Sequence, residues 1–362
     1  MRQQWGRTAA VVLGATIGLA TATVGGVAVA QAGGVTAAPA RSADDGGYDG
    51  SQDEGQDESR NESQDGGSDE AQDGGSDTAQ GGGARTSWTG EDAAAYWTPQ
   101  RMAAAIAPAH GRTVSRTSPA PLTGRSGAKK TSGRVPAGRH FDGIPSVGVL
   151  FSVDGDSKAH HCTASVVHSP SGNLILTAGH CNPGSRAAFV PQYTSGATTQ
   201  PYGIWAIDAK YDYPGRGTTG PGADLDFAFA TVVPDDQGRS LESVTGGNTL
   251  TPTPGYRNKV TVVGYPSVRN DPQDRAVRCD TSTSRLSGTR QLRMECGGFY
   301  GGTSGSPWLT HYDERTRTGR IVGLIGGLNG GGPTGPNSDR TSYSPYFGTE
   351  IMALYARATQ EG

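Results

Sequence analysis

Beyond residue 30 the chain has no apolar run long enough to cross a bilayer, which excludes a membrane-spanning segment from a mature form. Between residues 41 and 85 large apolar side chains are almost missing, and Asp, Glu, Gly, Ser and Gln fill the stretch instead. Such a segment cannot bury enough surface to offset the entropy of ordering, so disorder is expected. Its near repeat, Gln-Asp-Gly-Gly-Ser-Asp at 64–69 and 72–77, lacks the alternating apolar position of a nine-residue calcium-binding β-roll and reads as solvated linker. Cysteine is scarce too. Four cysteines without paired ligand spacing argue against zinc at His160, His161, Cys162, His168, His180 and Cys181, so no metal is expected. Asp154 and Asp156 resemble the start of a calcium loop but lack its later Gly and Glu, which leaves a turn. No excess of positive charge suggests a nucleic-acid partner, since the net charge is −3.

What is present divides the chain into four parts. Arg2 and Arg7 precede an Ala/Val/Gly/Leu run over residues 8–30, which ends in Ala28-Val29-Ala30 before Gln31. This is the pattern of a secretory signal, 1–30; its Gly and Thr content and small-residue end weigh against a retained anchor. The acidic linker, 31–87, follows. Residues 88–140 turn basic and look like a propeptide, with helical character over 91–106 interrupted by Pro99 and basic residues at Lys129, Lys130, Arg134 and Arg139. Their low apolar content predicts that removing residues up to about 139 leaves a folded core. From Gly143 onward, short β-rich runs alternate with Gly, Pro, Asn and Asp: 146–152, 163–167, 174–177, 187–193, 203–209, 227–233, 259–265, 291–296, 306–310 and 320–325. Many short strands with no helix between them predict an all-β sandwich or barrel over 141–362. One helix is expected at 349–359, where Ile351, Leu354 and Tyr355 share a face.

Three motifs carry chemistry. Thr-Ala-Gly-His-Cys at 177–181 offers an imidazole base, His180, and Gly-Gly-Thr-Ser-Gly-Ser-Pro at 301–307 offers a hydroxyl, Ser304, between glycines that allow a tight loop. Between them Ala-Asp-Leu-Asp-Phe-Ala-Phe-Ala presents Asp226 directly before a buried-looking run, with Asp224 two residues away as the rival carboxylate.

In their order His, Asp, Ser, these motifs resemble the signatures of chymotrypsin-like serine proteases, over about residues 141–358. The Gly-x-Ser-Gly-Ser-Pro form and the Gly-Tyr-Pro at 264–266 are most similar to secreted bacterial members related to the glutamyl endopeptidase branch. The resemblance implies two six-stranded antiparallel β-barrels with a closing C-terminal helix, and a secreted, extracellular endopeptidase without cofactor. It would act on protein or peptide substrates, most simply as a monomer. It implies a triad of His180, Asp226 and Ser304, oxyanion-hole N–H groups at Gly302 and Ser304, and a substrate pocket from Gly298, Tyr300, Gly326, Gly327 and Leu328. Of the three pairings that four cysteines allow, Cys162–Cys181 and Cys279–Cys296 are the economical choice, and the first matches the family's disulfide beside the histidine.

Two departures matter. Thr303 stands where the animal digestive enzymes have the Asp that pairs with a freed N-terminus. The strand at 323–326 reads Gly-Leu-Ile-Gly and lacks the His of the glutamyl enzymes. With Gly298 bringing no charge, an uncharged P1 residue is expected. The alternatives are a non-catalytic secreted binding protein on a protease-like fold, whose expected mark, a broken triad, is missing, and an esterase acting at the same site.

Overall fold

The computed structural model describes residues 88–108, 135–155 and 158–362. The signal, the acidic linker, Lys129, Lys130, Arg134 and Asp156 lie outside them. Two short helices come first, α1 (Gly90–Tyr96) and α2 (Pro99–Ala103). Thr89 and Asp92 form a reciprocal capping box on α1. Pro99 divides the expected helix because it has no N–H to donate, and it serves instead as the first residue of α2 behind the Thr98 cap.

The strands follow: β1 (Arg139–Phe141), β2 (Val147–Val153), β3 (Ala159–Val167), β4 (Leu174–Thr177), β5 (Ser185–Pro191), β6 (Trp205–Tyr211) and β7 (Ala228–Val232). After the short helix α3 (Leu241–Thr245) come β8 (Thr249–Leu250), β9 (Lys259–Gly264), β10 (Ala276–Arg285), β11 (Leu292–Glu295), β12 (Pro307–Asp313), β13 (Thr318–Leu324) and β14 (Thr341–Ser344). The chain closes with α4 (Thr349–Glu361).

β2, β3, β4, β7, β6 and β5 close into one barrel in that order. Val149, Phe151, Val166, Ile175, Phe189 and Phe229 are all buried in the core, each contributing about 1.5–3 kcal/mol on burial. The second half corrects the expectation of two six-stranded barrels. It is an eight-stranded sheet running β14-β11-β10-β9-β12-β13-β8 with β1 also on β10, and its end strands do not pair. β8 joins β13 in parallel, so the sheet is not purely antiparallel. Irregular chain covers both ends: beside β14, Gly326 N–H donates to Tyr343 O and Tyr343 N–H to Gly331 O, and beyond β8, Thr253 N–H donates to Phe347 O.

The N-terminal boundary also differs from the expected one. Arg139, His140 and Phe141 pair with Arg278, Val277 and Ala276, so the sheet starts before residue 141. Residues 88–108 are no separate tail, since Ala93, Trp97, Met102 and Ala105 are buried within the main core cluster. Three aromatic residues, Trp88, Tyr96 and Trp97, give this stretch an apolar payload that its average composition hides. No helix among the described residues is long and apolar enough to cross a membrane.

Candidate active site

β4 and β7 are antiparallel neighbours with Thr177 opposite Ala228, which places the end of one beside the start of the other. Three residues past β4 stands His180, in a 3-10 turn over Gly179–Cys181, and two residues before β7 stands Asp226. Their meeting follows from strand register. His180 Nδ1 donates to Asp226 Oδ2 at 2.8 Å and the His180 backbone N–H to Asp226 Oδ1 at 2.7 Å. Gly327 N–H adds a third bond to Oδ2 at 2.6 Å. Asp226 is fully buried, so its charge is compensated by these donors. With Nδ1 as the donor, the ring's lone pair lies on Nε2, which is buried and has no hydrogen-bond partner.

Asp224 faces elsewhere. Its Oδ1 accepts from Gln291 Nε2 at 3.0 Å, and Gln291 Oε1 accepts from Leu328 N–H at 3.0 Å. Gly326 and Gly327, expected in the pocket wall, back the buried carboxylate: a Cβ at 326 would stand 3.2 Å from Asp226 Oδ2, and Gly327 N–H donates to the same oxygen. Leu328 is tied to Asp224 through Gln291.

Ser304 is buried in the loop before β12. Gly302 has φ +103° and Gly305 φ +87°, a region closed to most side chains. Among the described residues neither Gly302 N–H nor Ser304 N–H donates to a backbone carbonyl, while Thr303 N–H and Gly305 N–H are taken by Tyr300 O and Ile325 O. The two free donors flank the serine.

One residue the sequence does not single out holds this loop against the barrel. Thr163 N–H donates to Ser304 O at 2.8 Å, its Oγ1 to Gly302 O at 3.1 Å, and its carbonyl accepts from Thr177 Oγ1 at 2.8 Å. The neighbouring Cys162 is bonded to Cys181, directly after His180, with Cα atoms 6.1 Å apart. The strand β3 thus pins both the histidine turn and the serine loop. Cys279–Cys296 joins β10 to the stretch before that loop. Both pairings are those expected.

Of the expected pocket residues, Gly298 and Tyr300 line a cavity of about 900 Å³, whereas Gly326, Gly327 and Leu328 do not. The cavity also contains Asp271, Glu295 and Asp339. Asp339 Oδ2 accepts from Gly298 N–H at 3.2 Å, so the wall carries a carboxylate although Gly298 carries none. The same lining holds the basic Arg340 and His140 and none of His180, Asp226 or Ser304, so it leaves the expectation of an uncharged P1 residue as it stands. No local motif marks Asp339; it reaches Gly298 because β14 pairs with β11.

The other histidines weighed as ligands, His160, His161 and His168, have protein partners. His168 pairs with Glu242 at 2.7 Å on the surface and His160 with Asp154 at 3.5 Å. His161 is buried and its Nε2 donates to Tyr265 O at 2.9 Å, beneath Gly302, whose added Cβ would come within 3.1 Å of the ring. Burial pushes the His161 ring below its ordinary 6.5, against the opposing pull of Asp274. No group of three His, Cys, Asp or Glu residues that could hold a metal occurs among the described residues.

Residues 162–324 match the family of trypsin-like peptidase domains. Among solved structures, the protease Anisep from Arthrobacter nicotinovorans is 24% identical, with a TM-score of 0.52 over 62% of this chain and 100% of that one. The thermostable serine protease AL20 from an extremophilic microorganism is 21% identical over 60% of this chain and 98% of that one, with a TM-score of 0.49. A Glu endopeptidase is 18% identical over 62% and 97%, with a TM-score of 0.46. No curated protein matches the sequence.

Proposed function

We propose that this chain, on its trypsin-like peptidase fold, is an exported serine endopeptidase that cuts peptide bonds through an acyl-enzyme on Ser304. The observation that carries the reading is the fully buried Asp226 carboxylate, which accepts the His180 Nδ1 proton at 2.8 Å and leaves Nε2 as the basic atom. Ser304 Oγ attacks the scissile carbonyl carbon while His180 Nε2 takes its proton. The free N–H groups of Gly302 and Ser304 receive the charge that develops on the carbonyl oxygen, each such donor being worth about 3 kcal/mol in related chemistry. As the C–N bond breaks, the imidazolium returns the proton to the leaving amine. Water, deprotonated by the same nitrogen, then releases the acid and restores the serine.

Export is supported by the signal-like N-terminus and by two disulfides, which persist in an oxidising compartment. The purified protein is expected to cleave a denatured protein substrate, and Ser304→Ala to lose that activity while keeping the fold by circular dichroism. Turnover of an ester with no peptide cleavage would make it an esterase. Peptide cleavage by the Ser304→Ala protein would move the nucleophile elsewhere.

A further inference from the structure

Residues 88–108 lie along the first barrel and meet it as a partner would. Trp97 is 1% exposed, stacks near Phe151 with ring centroids 5.2 Å apart, and donates its indole N–H to Arg186 O at 2.8 Å. Trp88 donates in the same way to the next carbonyl, Ala187 O, at 2.9 Å. The guanidinium groups of Arg101 and Arg186 both lie over the Tyr96 ring, 3.9 and 4.6 Å from its centre. At its far end the segment adds to β3: Ile106 N–H donates to Ala159 O at 3.0 Å and Ile106 O accepts from His161 N–H at 2.8 Å. One buried and one half-buried indole, both with satisfied N–H groups, an arginine-stacked tyrosine and a strand-edge bridge are the anchors of a stable interface. Nothing covalent reinforces them, because all four cysteines are used elsewhere.

The stretch that follows, 109–134, carries Arg112, Arg116, Arg125, Lys129, Lys130 and Arg134 and no acidic residue, so basic-specific proteases have many sites in it. We propose that residues 88–108 are a light chain of the protein: once the chain is severed within 109–134, this segment stays docked on the first barrel by non-covalent contacts alone. Its hold on the start of β3 matters to the site, since the next two residues of that strand, Cys162 and Thr163, tie down the histidine turn and the serine loop. The light chain therefore stands behind the catalytic loops without touching substrate.

The test is one of association and does not depend on activity. A site-specific protease sequence is placed after Gly127 in full-length protein carrying Ser304→Ala, which prevents self-cleavage, and the cut protein is passed over a sizing column at about 10 µM, where only a complex tighter than roughly that concentration survives. The fragment containing 88–108 is expected to elute with the 135–362 core, both masses being recovered from one peak, and to separate from it in denaturant. Adding Trp97→Ala is expected to weaken retention about 30-fold or more and release the fragment. A fragment that elutes free from the unmutated cut protein, whether or not the core stays folded, overturns the proposal. Retention that survives Trp97→Ala overturns the anchor assigned here.

Discussion

Asp226 and Asp224 stand two residues apart, yet one bonds the imidazole and the other a glutamine side chain. Asp226→Asn presents an amide to His180 Nδ1 and favours the wrong tautomer, so kcat should fall about 10⁴-fold. Asp224→Asn only loosens Gln291 under Leu328 and should act mainly on KM, by less than about tenfold, since one neutral-range hydrogen bond is at stake. Steady-state kinetics on both variants decides it, and equal losses in kcat would move the role to Asp224. Gly302→Ala is expected to be worse than its size suggests: φ is +103° and the new Cβ would stand 2.4 Å from Ser267 N. A strained residue of this kind costs about 1–3 kcal/mol, and relief by shifting the loop would misplace an oxyanion donor. At this scale the sequence was readable where chemistry imposes a motif, as at His180 and Ser304. Thr163, Gln291 and Asp339 were not, because a threonine, glutamine or aspartate acquires its partner only when distant strands are brought together.

Among the elements, the strands with alternating or continuous apolar residues fell where expected, β4 at the same residues and the others within a few positions. β10, ten residues long, was missed because Arg278, Asp280, Thr281, Ser282 and Ser284 make it read as loop; its outer half is largely exposed, so it needs no apolar pattern. β14 and the two-residue β8 are too short to show a period. The C-terminal helix was legible from Ile351, Leu354 and Tyr355, the last reaching His168 O with its hydroxyl at 2.8 Å. β3 carries a pH signature. His161 stays neutral in the fold below its ordinary 6.5, whereas the unfolded chain takes up a proton there. The unfolded state then binds more protons, so stability drops as pH is lowered through about 6.5. Thermal midpoints from pH 7.5 to 5.5 should fall more steeply for the wild type than for His161→Gln; parallel slopes would mean that His161 titrates freely in the native state.

For the whole molecule, the groups proposed as catalytic come from both halves: His180 and Asp226 from the closed barrel, Ser304 from the loop that leads into β12 of the second sheet. Few covalent links hold the arrangement. Each disulfide closes a short loop, with sequence separations of 19 and 17, and constrains the unfolded chain by about 3 kcal/mol. The two therefore contribute similarly to stability, but only Cys162–Cys181 adjoins the histidine. Replacing that pair by alanines should lower kcat as well as the thermal midpoint, whereas replacing Cys279 and Cys296 should lower chiefly the midpoint. The all-β class was legible in the many short β-rich runs separated by turn residues. The eight-stranded second sheet and the buried segment 88–108 were not, because strands as short as β8 and β14 show no period and composition averages over the few aromatic residues that anchor the segment.

The central claim, a serine made nucleophilic by His180 and Asp226, is tested most directly by reacting the folded protein with a fluorophosphonate and mapping the adduct by peptide mass spectrometry. A single phosphonyl group on Ser304, slowed about as severely by Asp226→Asn as peptide hydrolysis is, is the predicted result. Labelling at another residue, or unhindered labelling of Ser304 in the Asp226→Asn protein, would contradict the account.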